Sequence, residues 1–229
     1  MYQKYADLRA HYSVSDAASG SVEGHADWVT VLRGVGEFFV LVAMAIVVPA
    51  MVYFDIAVLG NTVGEVSATE ITQELLVFMT ASIFWYKAYR EPAARGFWVL
   101  VAGFFTCILI REMDFLLDGI VHGFWVWPGT LVAVVSIFLA SVPFKGRVLQ
   151  PMAAYVGTKP YFFMIVGLAV LLVFSRIFGS GNLLWERLLG AGYSANFKSA
   201  LQEGLELLGY FLIGYSAVLS SRLVTRSTR

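Results

Sequence analysis

The chain has 229 residues, of which 59% are apolar and only 14% charged, with 16 basic and 16 acidic side chains. Soluble domains carry about 25% charged residues, so the composition excludes an ordinary soluble domain, and the zero formal charge argues against a nucleic-acid partner, which needs a basic face. A single cysteine, Cys107, rules out a disulfide within the chain, and His122 is the only histidine outside the polar head, so neither bis-histidine haem nor a three-histidine zinc site fits the apolar part.

Residues 1–30 are polar and mixed in charge (Lys4, Asp7, Arg9, Asp16, Glu23, Asp27) and predict a cytoplasmic head ending in a short interfacial helix around 28–33. No apolar run lies close enough to Met1 for a cleaved secretory signal. Six apolar stretches follow, over 34–53, 71–89, 97–117, 124–144, 161–179 and 195–224. Each is about the length that crosses a 30 Å hydrocarbon layer at helical rise. Pro49 predicts a kink in the first, and Pro128 sits near the first turn of the fourth, where its missing N–H costs little. Between the fourth and fifth, 148–156 reads as an amphipathic piece on the inner surface. Between the fifth and sixth, 183–189 reads as a short interfacial helix, and Ser194 as the N-cap of the last span.

The fold class expected is therefore all-α and polytopic, with six transmembrane helices over 31–224 and a cytoplasmic tail at 225–229. Loop cations set the orientation. Lys4, Arg9, Arg33, Lys87, Arg90, Arg95, Lys145, Arg147, Lys159, Arg222, Arg226 and Arg229 all fall on one side, against Arg187 and Lys198 on the other. By the positive-inside rule both termini are cytoplasmic, and a bacterial inner membrane is the expected location.

The charges inside the apolar stretches mark the candidate site. Each costs about 2.5–3.5 kcal/mol at the centre of a membrane helix, so each needs a reason. Residues 97–120 alone hold Arg111, Glu112, Asp114 and Asp118; on one helix Arg111, Asp114, Asp118 and His122 form a single stripe. Glu70 with Glu74, and Glu203 with Glu206, make acidic pairs on two other helices, and Tyr210 continues the second pair at i+7. Helical rise places Glu74, Arg111, Glu112, Asp114, Arg176 and Glu206 in one layer of the outer leaflet, with Glu70, Asp118, His122 and Glu203 as a rim above. Four acids against two arginines in the deeper layer leave two to be protonated or neutralised by a cation.

Three readings follow. In the first, the layer binds a cation, or the polar head of a lipid or solute, in a binding or transport role. Hard-oxygen ligands from Glu74, Asp114, Asp118 and Glu206 suit magnesium, calcium or manganese. In the second, the layer clamps helices together in an accessory subunit held by membrane partner proteins. In the third, it is an intramembrane metal- or acid/base-dependent lipid hydrolase or transferase, although the Glu-x-x-His repeat of carboxylate-bridged metal bundles is missing. The bilayer is a partner in all three.

Overall fold

The computed structural model describes the backbone of residues 2–60, 67–119, 121–190 and 194–227, and side chains over 27–60, 67–119, 121–190 and 194–223. Among the described residues every regular element is helical: α1 (Tyr2–Ala57), α2 (Ala68–Arg90), α3 (Arg95–Glu112), α4 (Asp114–Asp118), α5 (Val126–Ser141), α6 (Leu149–Val156), α7 (Lys159–Ala169), α8 (Ser175–Phe178), α9 (Glu186–Leu189) and α10 (Ala195–Ser227). A π turn, Val170–Phe174, joins α7 to α8, and a second, Gly181–Trp185, leads into α9.

Four helical stretches are long and apolar enough to cross a membrane: Asp27–Ala57, Pro92–Glu112, Lys159–Phe178 and Ala195–Leu223. The other two expected spans fall short on composition or length. Helix α2 carries Glu70, Glu74, Lys87 and Arg90, and α5 has only 16 residues. The polar head and the first apolar stretch form one continuous helix rather than a head ending in a short separate helix: α1 starts at Tyr2 and runs through Pro49, the first proline in the chain.

Two compact units divide the chain, Met1–Ile46 and Val47–Arg229. Within the second, α2 packs on α3 and α10, α10 on α7, and α3 on α5. Side-chain contacts fix the directions. Gln73 meets Glu203 at one end of the α2–α10 pair and Lys87 meets Ser220 at the other, so these helices are parallel. Cys107 reaches Gly129, so α5 runs against α3; Ser216 reaches Pro160, so α7 runs against α10. One end of the unit is rich in acids, the other in cations. The core lies where α2, α3 and α10 meet, around Phe84, Phe105, Tyr210 and Ile213, with Phe84 stacked between Trp98 and Phe105 at 5.6 and 5.7 Å.

Two local devices hold the helices in place. Asp55, fully buried near the end of α1, accepts hydrogen bonds from the backbone N–H groups of Ala68 (2.7 Å) and Thr69 (2.9 Å) and from the Thr69 hydroxyl. The first N–H groups of α2 have no intrahelical acceptor, and a carboxylate there also meets the positive end of the helix dipole. Gly167 and Gly209 let α7 and α10 touch backbone to backbone: a Cβ on Gly167 comes to 2.9 Å of the Gly209 carbonyl, and one on Gly209 to 3.0 Å of the Gly167 carbonyl. Small residues allow such close approach between helices in apolar surroundings.

Asp55→Ala is expected to lower the unfolding free energy by about 2 kcal/mol, with Asp55→Asn recovering part of it, measured by denaturant titration in mixed micelles. Gly167→Val is expected to cost about 1–3 kcal/mol in the same titration, because neither backbone yields without separating the helices.

Candidate functional site

The acid-rich end is built by the starts of α2 and α10 and the finishes of α3 and α8. Helix polarity accounts for much of its charge pattern. Glu70 lies in the first turn of α2, whereas Arg111 and Arg176 lie in the last turns of α3 and α8. Acids at helix starts and cations at helix finishes are each stabilised by the dipole.

Three contacts converge on α10. Gln73, 1% exposed, donates from Nε2 to the Glu203 carboxylate (3.0 Å) and to the Glu203 backbone carbonyl (3.1 Å). Arg176 faces Glu206 at 3.5 Å, and Gln202 donates to the same Glu206 oxygen at 3.2 Å. Tyr210, buried one turn further on, brings its hydroxyl against Glu112 without forming a well-aligned hydrogen bond. Glu112 itself pairs at 2.7 Å with its chain neighbour Arg111. Glu70, Glu112, Glu203 and Glu206 stand close enough to act on one another electrostatically. Gly179 supports the arrangement, since a Cβ there collides with the Gln202 amide.

The two ion pairs are lopsided. The Arg111 and Arg176 side chains are 41% and 46% exposed, while their partners Glu112 and Glu206 are 10% and 5% exposed. Each guanidinium has five N–H donors, and the carboxylate beneath it occupies one or two. Both guanidinium side chains are thus only partly covered.

Other expected members of the site lie elsewhere. Helix α3 stops at Glu112, with Met113 at ψ 20° as its C-cap, and the chain restarts as α4. The stripe from Arg111 to His122 is therefore interrupted. The junction Arg111-Glu112-Met113-Asp114 puts a cation at one helix finish and an acid at the next helix start, each favoured by the helix dipole. Asp114 is exposed on α4 and makes no ion pair among the described residues. Asp118 pairs with the fully solvated His122 at 2.8 Å and accepts from the Gly123 N–H at 2.8 Å, which closes a local turn. Glu74 is half-buried on α2 and has no ion pair among the described residues. Among the described residues no three acid, histidine or cysteine side chains converge to hold a metal ion. Glu74, Asp114, Asp118 and Glu206 thus do not form the divalent-cation set the spacing suggested.

Reading the chain for charge passed over Asp55, Gln73 and Gln202. An isolated acid after an apolar run marks Asp55, and an amide one position from Glu74 marks Gln73. No protein-family model, curated protein or solved structure matches the chain.

Replacing Gln73 by Ala is expected to destabilise the protein by about 1–3 kcal/mol, since it removes both hydrogen bonds of a fully buried amide to α10 and strands a half-buried carboxylate. Arg111→Ala is expected to cost about 1 kcal/mol or less, because an exposed guanidinium contributes little. Equal losses for the two substitutions, read from paired denaturant titrations, contradict this ordering.

Proposed function

We propose that the chain is a six-span inner-membrane protein with both termini in the cytoplasm, and that its acid-rich end recognises a polar head group at the periplasmic surface. The alternating helix directions support five of the six crossings: α2, α5 and α10 run one way, α3 and α7 the other. Helices α2 and α10 lie inside the unit, where a span tolerates polar side chains that lipid-facing helices do not. Lys87, Arg90, Lys145, Arg147 and Lys159 gather at the opposite end, which supports its cytoplasmic placement.

The observation that carries the binding reading is the lopsided burial of the two ion pairs. Partly exposed guanidinium groups suit a phosphate or carboxylate. Beneath them Glu112, Glu203 and Glu206 outnumber Arg111 and Arg176, an excess that suits an ammonium group. A head group bearing both charges, of the phosphoethanolamine kind, satisfies the two layers together. A bare divalent cation fits less well, because the acids do not converge. Hydrolase or transferase chemistry is less favoured, because Asp114 is exposed on α4 and apart from the other acids.

A second reading has its own observation. Gln73–Glu203 and Arg176–Glu206 tie α10 to α2 and α8, as an inter-helix clamp in an accessory subunit requires.

Purified protein in detergent, titrated with phosphatidylethanolamine, is expected to show a saturable rise in Tm of several degrees that phosphatidylcholine does not reproduce and that Arg111→Gln with Arg176→Gln abolishes. An unchanged response in the double variant sinks the binding reading and leaves the clamp.

A further inference from the structure

At the cation-rich end the chain between α5 and α6 crosses the start of α3 and is pinned there. The Phe97 N–H donates to the Arg147 carbonyl at 3.0 Å, and Arg147 Nη1 donates to the Pro92 carbonyl at 3.2 Å. Gly96 permits the crossing, since a Cβ there comes to 2.8 Å of the Val148 side chain and 2.9 Å of the Phe144 carbonyl. Arg95 stands 5.7 Å from the centre of the Phe144 ring and donates to the Ala88 and Tyr89 carbonyls. Arg95 and Arg147 are thus engaged in holding the crossing. Lys145, two residues before Arg147 on the same pinned segment, is exposed and forms no hydrogen bond or ion pair among the described residues.

The surroundings of Lys145 are short of acids. From 119 to 185 the chain contains none, although Lys145, Arg147 and Lys159 fall in that stretch. Glu91, the only acid between 75 and 111, is taken by Lys87 at 2.9 Å and by the Trp98 indole at 2.8 Å.

Lys145 also lines a groove of about 430 Å³ between α3, the finish of α5 and the start of α6, together with Ser141 and the apolar Leu100, Ala140, Val148 and Leu149. Ser141, Lys145 and Leu149 are exposed, so the groove is open at the surface. Leu100 borders a second groove as well, about 330 Å³ between α3, α6 and α7, which Phe104, Met152 and Val156 help to line. The apolar surface is therefore continuous from one groove to the next. Leu149, Met152 and Val156 fall at i, i+3 and i+7 of α6 and are all exposed, so this helix presents one apolar stripe along both grooves.

A soluble anion uses the lysine and leaves the apolar walls wet. A neutral hydrocarbon uses the walls and leaves the cation without a counter-charge. A phosphate joined to acyl chains satisfies both, because a lysine ammonium is a point charge suited to phosphate. An ammonium on the same head group meets only cations here, so a net negative lipid fits better than a zwitterionic one.

We infer that the groove between α3, α5 and α6 seats an acyl chain of an anionic phospholipid whose phosphate lies at Lys145, in the leaflet that meets the cation-rich end. The inference rests on the membrane reading for its lipid setting and does not need the head-group site at the acid-rich end.

The test uses the purified full-length protein carrying Arg111→Gln and Arg176→Gln, which removes the guanidinium groups of the other end. It is titrated in detergent with phosphatidylglycerol, phosphatidylethanolamine and phosphatidylcholine, read by Tm and by lipid retained in native mass spectrometry. Phosphatidylglycerol is expected to raise Tm saturably, and the two zwitterionic lipids are not. Adding Lys145→Gln is expected to raise the half-saturating phosphatidylglycerol concentration about tenfold, the loss of one charge-assisted contact. Ser141→Phe, at the exposed last residue of α5, is expected to weaken binding at least as much by filling the groove. Arg222→Gln, exposed at the same end but outside the groove, is expected to change it by less than about twofold. Equal responses to the three lipids, or a phosphatidylglycerol response that Lys145→Gln or Ser141→Phe leaves unaltered, overturn the inference. An equal loss with Arg222→Gln also overturns it, by showing a general attraction of anionic lipid to a cationic face. So does saturation by free glycerol 3-phosphate at the same concentration, which assigns Lys145 to a soluble anion. Failure of phosphatidylethanolamine to stabilise the unaltered protein counts against the acid-rich site alone and leaves these outcomes as they stand.

Discussion

The parallel pairing of α2 and α10, fixed at both ends by polar contacts, is the constraint on which the rest of the unit depends. Gln73 with Glu203 and Lys87 with the Ser220 carbonyl set its register over nearly the whole length of α2. A shift of one turn separates both pairs. Parallel neighbours also require connections that return along the bundle, and α3, α5 and α7 are what return. The polar contacts therefore do more for specificity than for raw stability. Van der Waals packing around Phe84, Tyr210 and Ile213 supplies the attraction, and it is less directional than the polar contacts.

This arrangement explains an inversion between composition and burial. The most apolar helical stretch, in α1, is exposed, whereas α2 and α10, which carry Thr69, Gln73, Lys87, Glu206 and Ser216, are the helices that hide their side chains. In water the opposite holds. Against lipid tails an apolar side chain gains nothing by burial, so the interior becomes the place for groups that need partners. The same logic sorts the charges at the acid-rich end: those that found a partner are inside, and the guanidiniums, able to span from a buried acid to the surface, sit across the boundary.

Much of this was readable from the chain. Hydropathy found where the helices lie, and the expected amphipathic piece and the start of α10 at Ala195 fall within a residue or two of their places. Charge spacing singled out Arg111, Glu112, Arg176, Glu203, Glu206 and Tyr210, which the fold brings near one another. It failed at Asp114, Asp118 and His122 because a periodic stripe assumes an unbroken helix, and nothing as blunt as glycine or proline announces the stop at Met113. It also treated Lys87 as a loop cation that helps orient the chain. Only the fold reveals that Glu91, Trp98 and the α10 backbone enclose it, since those partners lie 4, 11 and 133 positions away. Formal charge likewise directed attention away from Gln73, which binds more of the site than Glu74 does.

The π turn at Val170–Phe174 bears on how such a site tolerates change in chain length. It adds one residue to a helical turn, which rotates everything after it by about 100° relative to an uninterrupted helix. Arg176 lies two residues beyond that turn, and the close backbone contact at Gly167 lies three residues before it. The contact pins the lower part of the rod while the added residue works as a fixed dial on the upper part. Loss of a single codon in this stretch leaves every side chain of the acid-rich end encoded yet turns its second guanidinium toward the wrong neighbour, so the recognition chemistry is stored in a residue count as much as in residue identities.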